Sequence, residues 1–183
     1  MRIGRSTTII KLKGFDKYFR PLEVEPLQAA LADELQLADI LESCIRQSRH
    51  SDDLCIWMTS FSISEEFIRR LYFIRKKTPI KHFRLLLDFK AMQKTLRLWH
   101  FLNNVIEECY LGNNHSKLIL LQNYTEEMTI ITSQNLTRGN RYESYCLATD
   151  HKVFVTYLDK LEYILKHKTI RLNDVIRGKL ADN

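Results

Sequence analysis

The sequence predicts an α/β fold, a mixed β-sheet flanked by helices on both faces, and three features of the 183-residue chain carry that prediction. Two compact apolar runs, 54–58 and 83–89, are each followed by a stretch with helical apolar spacing, the rhythm of a layered α/β fold. Three further short runs, 117–121, 128–132 and 145–149, are separated only by turn-like segments, so their strands should be neighbours. A last apolar stripe, Phe154, Leu158, Leu161 and Leu165, marks a closing helix.

Taken in order, the basic start MRIGRSTTIIKLKG reads as a first strand around Ile9-Ile10, too short for the ~7 to 15 apolar residues of a signal-peptide core. The stretch 26–49 is rich in Leu, Ala, Glu and Gln and places Leu37, Ile40, Leu41 and Cys44 at i, i+3, i+4 and i+7, which predicts one helix or two. After the 54–58 strand, Ser64 followed by two Glu supplies a cap and early acids for a helix with Phe67, Leu71 and Ile74 on one face. Pro79 ends that helix, the 83–89 strand follows, and a helix carrying Leu98, Leu102 and Val105 comes next. Trp57 and Trp99 fall within the apolar pattern and are expected in the core.

Composition narrows the function classes. With no Gly/Ser/Pro linker, repeat or low-complexity tract, residues 1–183 are expected to form a single domain, large enough to hold a core without disulfides or a structural metal. Cys44, Cys55, Cys109 and Cys146 are widely spaced and contain no C-x-x-C pair, so they read as reduced thiols of a cytoplasmic protein. No apolar run approaches the ~18 to 20 residues of a membrane span. The net charge of +6 favours polyanions such as nucleic acid or anionic lipid without choosing between them. The Arg69-Arg70 and Arg75-Lys76-Lys77 clusters lie on an expected helix and its exit, where a solvated face is the ordinary reading and nucleic-acid contact the alternative.

Polar residues gather at the ends of the later strands. His115 and Lys117 differ by two, which in extended chain puts both on one face. Thr132-Ser133-Gln134-Asn135 closes the next strand, Gly139 sits in the turn beyond, and Glu143 opens the strand after it. Strand ends are where α/β sheets place their sites. Arg138 and Arg141 flank the Asn-bearing turn, where contact with substrate phosphates and ordinary solvated loop arginines are equal readings.

The ordered set H-S-K, then T-S-Q-N, then Glu143 resembles the half-site of the phospholipase D superfamily, H-x-K followed by G-S-x-N and an acid. The likeness covers about residues 39–166, with 1–38 and 167–183 outside it as extensions. The chain departs from the pattern at Gln122, where the family commonly has Asp, and at Thr132, where it commonly has Gly. His50, His82, His100, His151 and His167 lack the downstream partners of a second half-site. The family's complete site uses two motifs, so the resemblance implies a homodimer in which two copies of His115 meet across a two-fold axis.

The resemblance further implies a metal-independent phosphodiesterase with no cofactor. One His115 would be the nucleophile and form a phosphohistidine; the other would protonate the leaving oxygen and then activate water. Lys117 and Asn135 would hold the non-bridging oxygens, Ser133 would add a donor, and Glu143 would orient an imidazole. A nuclease acting on DNA or RNA is the expectation. A phospholipid hydrolase or transferase, which needs an apolar rim at the site, and a non-catalytic nucleic-acid-binding module are the alternatives.

Overall fold

The computed structural model describes residues 19–33, 35–48, 53–139 and 141–181; the strand expected around Ile9-Ile10 lies outside them. One eight-stranded mixed sheet runs in the order β1-β7-β6-β5-β2-β3-β4-β8. Its strands are β1 (Leu27–Ala32), β2 (Leu54–Ser60), β3 (Ile80–Asp88), β4 (Glu108–Gly112), β5 (Leu118–Gln122), β6 (Glu127–Thr132), β7 (Glu143–Ala148) and β8 (Thr169–Arg171). Strands β2, β3 and β4 are parallel; β5, β6, β7 and β1 extend the sheet antiparallel from β2, and β8 closes the far edge against β4. The helices are α1 (Leu37–Gln47), α2 (Glu65–Lys77), α3 (Met92–Arg97), α4 (Trp99–Leu102), α5 (His151–His167) and α6 (Leu172–Ala181).

Apolar residues on each face explain the layering. On one face Leu41 and Cys44 of α1, Phe67 and Leu71 of α2, and Leu102 of α4 close over Ile56, Phe83, Leu85, Ile119, Ile130 and Leu147 of the sheet. On the other, Phe154, Leu161 and Leu165 of α5 close over Trp57, Leu86, Leu118 and Leu120. Each such fully buried large side chain contributes about 1.5–3 kcal/mol. Polar clamps fix α5 and the sheet edge: Glu162 accepts from Trp57 Nε1 at 2.7 Å and from Arg84 at 2.6 Å, and Glu108 pairs with Arg84 and Arg171.

Two elements differ from the sequence reading. Residues 27–32 form strand β1 rather than the start of a helix, because a full register against β7, Leu27↔Ala148 to Ala32↔Glu143, outweighs the helical preference of Leu, Ala and Gln. The helix expected to carry Leu98, Leu102 and Val105 is two short helices broken at Leu98, with Val105 in the turn beyond them. Both β1 and β8 lie in the segments outside the family likeness, yet both pair within the one sheet. At Gly112, a Cβ would stand 2.9 Å from Thr169 Cγ2, so any larger residue there would force the Thr169 side chain to shift.

The cysteines are all free, with Cys44 and Cys109 buried and Cys55 and Cys146 partly exposed. Burial pushes the Cys109 thiol up to about 12 and the Cys44 thiol higher still. The reactive form is the thiolate, so a raised pKa keeps these two protonated and inert at pH 8. Burial also raises Cys55, against the pull of Lys81 and Arg84. In a thiol titration of the native protein at pH 8, Cys146 is expected to react first, with Cys44 and Cys109 reacting only after denaturant is added. Rapid native labelling of Cys109 would contradict this burial.

Candidate active site

The carboxyl-terminal edge of the parallel strands β2 and β3 gathers the polar residues, as sheets of this class require. Asp88 ends β3 and accepts from Asn114 N at 2.9 Å. Buried Asn114 in turn donates to Ser60 O at 3.0 Å, while its Oδ1 accepts from Ser116 N at 3.2 Å and from Ser116 Oγ. The Ser116 hydroxyl also meets Thr59 Oγ1 at 2.8 Å, and Thr59 Oγ1 accepts from Leu118 N. These short side chains pin both sides of His115 and leave its ring exposed beside Phe61, with ring centroids 5.5 Å apart.

The expected convergence of His115 and Lys117 is present, although both precede β5 in its extended entry rather than within the strand. Lys117 Nζ stands 3.5 Å from His115 Nδ1 and donates to His115 O at 2.9 Å. Across the sheet edge, Ser133 Oγ donates to Glu143 and accepts from Ser144 N at 2.9 Å. The Ser133 proton assigned from sequence to a phosphate oxygen is therefore held by Glu143, and Glu143 meets Ser133 rather than an imidazole of its own chain. Asn135 Oδ1 lies 3.3 Å from Ser60 Oγ, which also donates to Ser62 O and accepts from Leu136 N at 3.0 Å. That arrangement leaves the Asn135 amide nitrogen as a donor for a ligand.

The loop bearing Asn135 is tied to α1. Gln134 Oε1 accepts from Leu37 N at 2.6 Å, doing for α1 what no cap side chain at Gln36 does, and Gln36 Nε2 donates to Gly139 O at 2.9 Å. Arg138 reaches Glu66 at 3.1 Å, and Arg141 is exposed. Gln122 lies at the opposite end of β5 and donates to Glu127 at 3.1 Å.

A cleft of about 670 Å³ opens beside these residues, lined by His115, Lys117 and Ser133 at its mouth and by Leu86, Leu118, Leu161 and Ile164 within. Tyr157 and Lys160 of α5 also face it. The sequence reading saw α5 only as a core helix and missed these two, and it missed Ser60 and Asn114. The polar residues just after the 54–58 run and just before H-S-K were the available signal for the latter pair. Among the described residues no group of three His, Cys, Asp or Glu is placed to hold a metal ion.

No protein-family model matches the chain, and no curated protein matches it by sequence. Solved structures share its fold. The phospholipase D family member Nuc from Salmonella typhimurium superposes with a TM-score of 0.57 at 14% identity, over 79% of this chain and 96% of that one. NucT from Helicobacter pylori gives 0.58 at 14% identity, over 78% and 98%. TrmBL2, an archaeal chromatin protein with a novel mode of DNA binding, gives 0.50 at 12% identity, over 80% and 54%. At these identities the likeness establishes the α/β architecture, a mixed sheet flanked by helices, as one also found in a phospholipase D family member.

Proposed function

We propose that the protein is a phosphodiesterase of the phospholipase D type, a metal-independent endonuclease cleaving DNA or RNA in a homodimeric site. The observation that carries the reading is the pairing of His115 with Lys117 beside a cleft that Ser133 also lines. A histidine ring free to meet substrate, a cation beside it and an amide donor on the neighbouring loop are what phosphoryl transfer needs.

In this reading His115 of one copy attacks phosphorus and the bond to the leaving oxygen breaks as His115 of the other copy gives that oxygen its proton. The second imidazole then takes a proton from water, which attacks phosphorus and breaks the P–N bond. Lys117 and Asn135 carry the charge on the non-bridging oxygens. Glu143 acts as a positioning residue through the Ser133 hydroxyl it holds. Arg138 and Arg141 would meet flanking phosphates, Arg138 after leaving Glu66.

One exposed face supports the dimer reading. Register puts Leu27, Ala29 and Leu31 of β1 on one face with Ser144 and Cys146 of β7 and Ile131 of β6. Leu31 is 70% exposed and Ile131 39%. This open apolar face adjoins Thr132 and Ser133, and exposed apolar area of this kind marks an interface.

The apolar walls of the cleft favour a second reading, a phospholipid hydrolase or transferase whose acyl chain lies along Leu118, Leu161 and Ile164. The net charge of +6 suits nucleic acid and anionic lipid alike and does not decide between the two readings. Incubating the protein in excess EDTA with end-labelled DNA, RNA and phosphatidylcholine vesicles separates the two. Shortened nucleic acid is expected. Release of choline or phosphatidate without nucleic-acid cleavage would replace the nuclease reading with the lipid one, and loss of cleavage restored by Mg²⁺ would overturn metal independence.

A further inference from the structure

The positive charge of this chain is concentrated in one stretch. Between Glu65 and Asn104 there are ten Lys or Arg against three Asp or Glu, a balance of +7, while the other residues hold 18 against 19. That stretch forms α2, β3, α3 and α4, and its helices share one side of the sheet. Some of its cations serve the fold. Arg70 pairs with Asp39 and Glu42, and Arg75 with Glu107, whose other oxygen accepts from Phe83 N. Others do not: among the described residues no ion pair joins Lys76, Lys77, Lys90, Lys94 or Arg97 to an acid.

Aromatic rings stand among these cations on the solvent side. Helix α2 buries Phe67, Ile68, Leu71 and Ile74, yet its outer stripe carries Tyr72 and Phe73, the latter 61% exposed. Facing it, α4 presents Phe101 at 44% exposure. Arg69 lies 5.6 Å over the Phe101 ring and Lys76 4.9 Å over Tyr72. Between the two helices runs a groove of about 220 Å³ floored by Ile68 and Val105. It is smaller than the ~300 Å³ or more of an ordinary small-molecule pocket, a size suited to one planar ring.

We propose that this aromatic and basic surface of α2, α3 and α4 is a second binding site, for single-stranded nucleic acid, in which bases stack on Phe73 and Phe101 and phosphates meet Lys76, Lys94 and Arg97. Aromatic faces interleaved with cations are the chemistry that binds unpaired strands without reading sequence. The surface begins at the sheet edge that bears the His115 loop. Lys90 lies two residues after Asp88, the residue that holds the His115 loop, and α3 then carries Lys94 and Arg97 ahead of Phe101 in α4. The cleft opens under α5 on the other face of the sheet, so a strand lying here leaves His115 free. This inference shares the nucleic-acid ligand of the proposed function and needs no turnover.

The test is fluorescence anisotropy of a labelled oligothymidylate of about 16 nucleotides, the upper site size of one such module. Binding is read on His115→Asn protein, which cannot consume the probe, with and without Phe73→Ala/Phe101→Ala. Both rings are exposed, and thermal melts confirm folding. The alanine pair is expected to weaken binding of the oligonucleotide about tenfold or more, to affect a duplex far less, and to be rescued by tyrosine at both positions. Lys76→Glu/Lys94→Glu should weaken binding as well and flatten its salt dependence. Hydrolysis of a small chromogenic phosphodiester by otherwise wild-type protein should be unchanged by either pair. Unchanged oligonucleotide affinity in the alanine variant would overturn the site, as would losses shared equally by heparin or seen only with phosphatidylglycerol vesicles. Loss of binding in a protein that cleaves no diester would keep this site and remove only the catalytic reading.

Discussion

Replacing His115 with asparagine is expected to lower kcat by on the order of 10⁴-fold or more, because one substitution removes the nucleophile from one copy and the proton donor from the other. The fold should be untouched. His115 is exposed, its ring touches Phe61 and Lys117, and the loop around it is held by Asn114, Ser116 and Asp88 rather than by the imidazole. Lys117→Ala and Asn135→Ala should each cost about 10²–10³-fold, the usual loss when one donor to a developing oxyanion is removed. Ser133→Ala provides a contrast: its hydroxyl is bonded to Glu143, so its effect should be smaller and should match that of Glu143→Gln. Initial rates on a fluorescent phosphodiester in EDTA, with thermal melts alongside, decide the matter. Activity retained in His115→Asn would end the catalytic reading and promote a binding module of the same fold.

The degree to which the sequence disclosed this site follows from how local each relation is. His115 and Lys117 are two residues apart, and extended chain alone sets their common direction. The buried strands and the capping Ser64 of α2 were equally local, the latter accepting from Phe67 N at 3.2 Å. Gln134, by contrast, caps a helix 97 residues away, and Arg75 pairs with Glu107 across 32. No spacing rule reaches that far, so an arginine that helps lock the fold read as part of a solvated charge run. Strand β1 was hidden for a related reason: its Leu, Ala and Gln favour helix, and only pairing with β7 makes them a strand. Tyr157 and Lys160 sit on a helix whose apolar stripe announced its buried side and said nothing of the cleft beside it.

Mixing experiments give the other large effect, because a site shared by two chains fails whenever either chain is defective. In an exchanging dimer of wild-type and His115→Asn chains at equal amounts, only the pairing of two wild-type chains holds both histidines, so activity should fall to about a quarter of the undiluted value under random association. Independent monomers would fall to about one half. The open face of β1, β7 and β6 supplies the structural version of the same test. Leu31 and Ile131 stand there in solvent beside Ser133, and burying them against a second copy is favourable at roughly 25 cal/mol per Å². An aspartate at either position would place an unpaired charge in that interface, which costs far more than the lost apolar contact. Leu31→Asp is therefore expected to yield a folded monomer by light scattering and to lose activity together with dimerisation, although Leu31 lies outside the cleft that His115 and Lys117 line; Ile131→Asp also places its charge in that cleft, so its loss of activity counts only alongside that of Leu31→Asp. A fully active monomer, or activity that falls only in proportion to the wild-type fraction in the mixing series, would show that one His115 suffices and would remove the shared site from the mechanism.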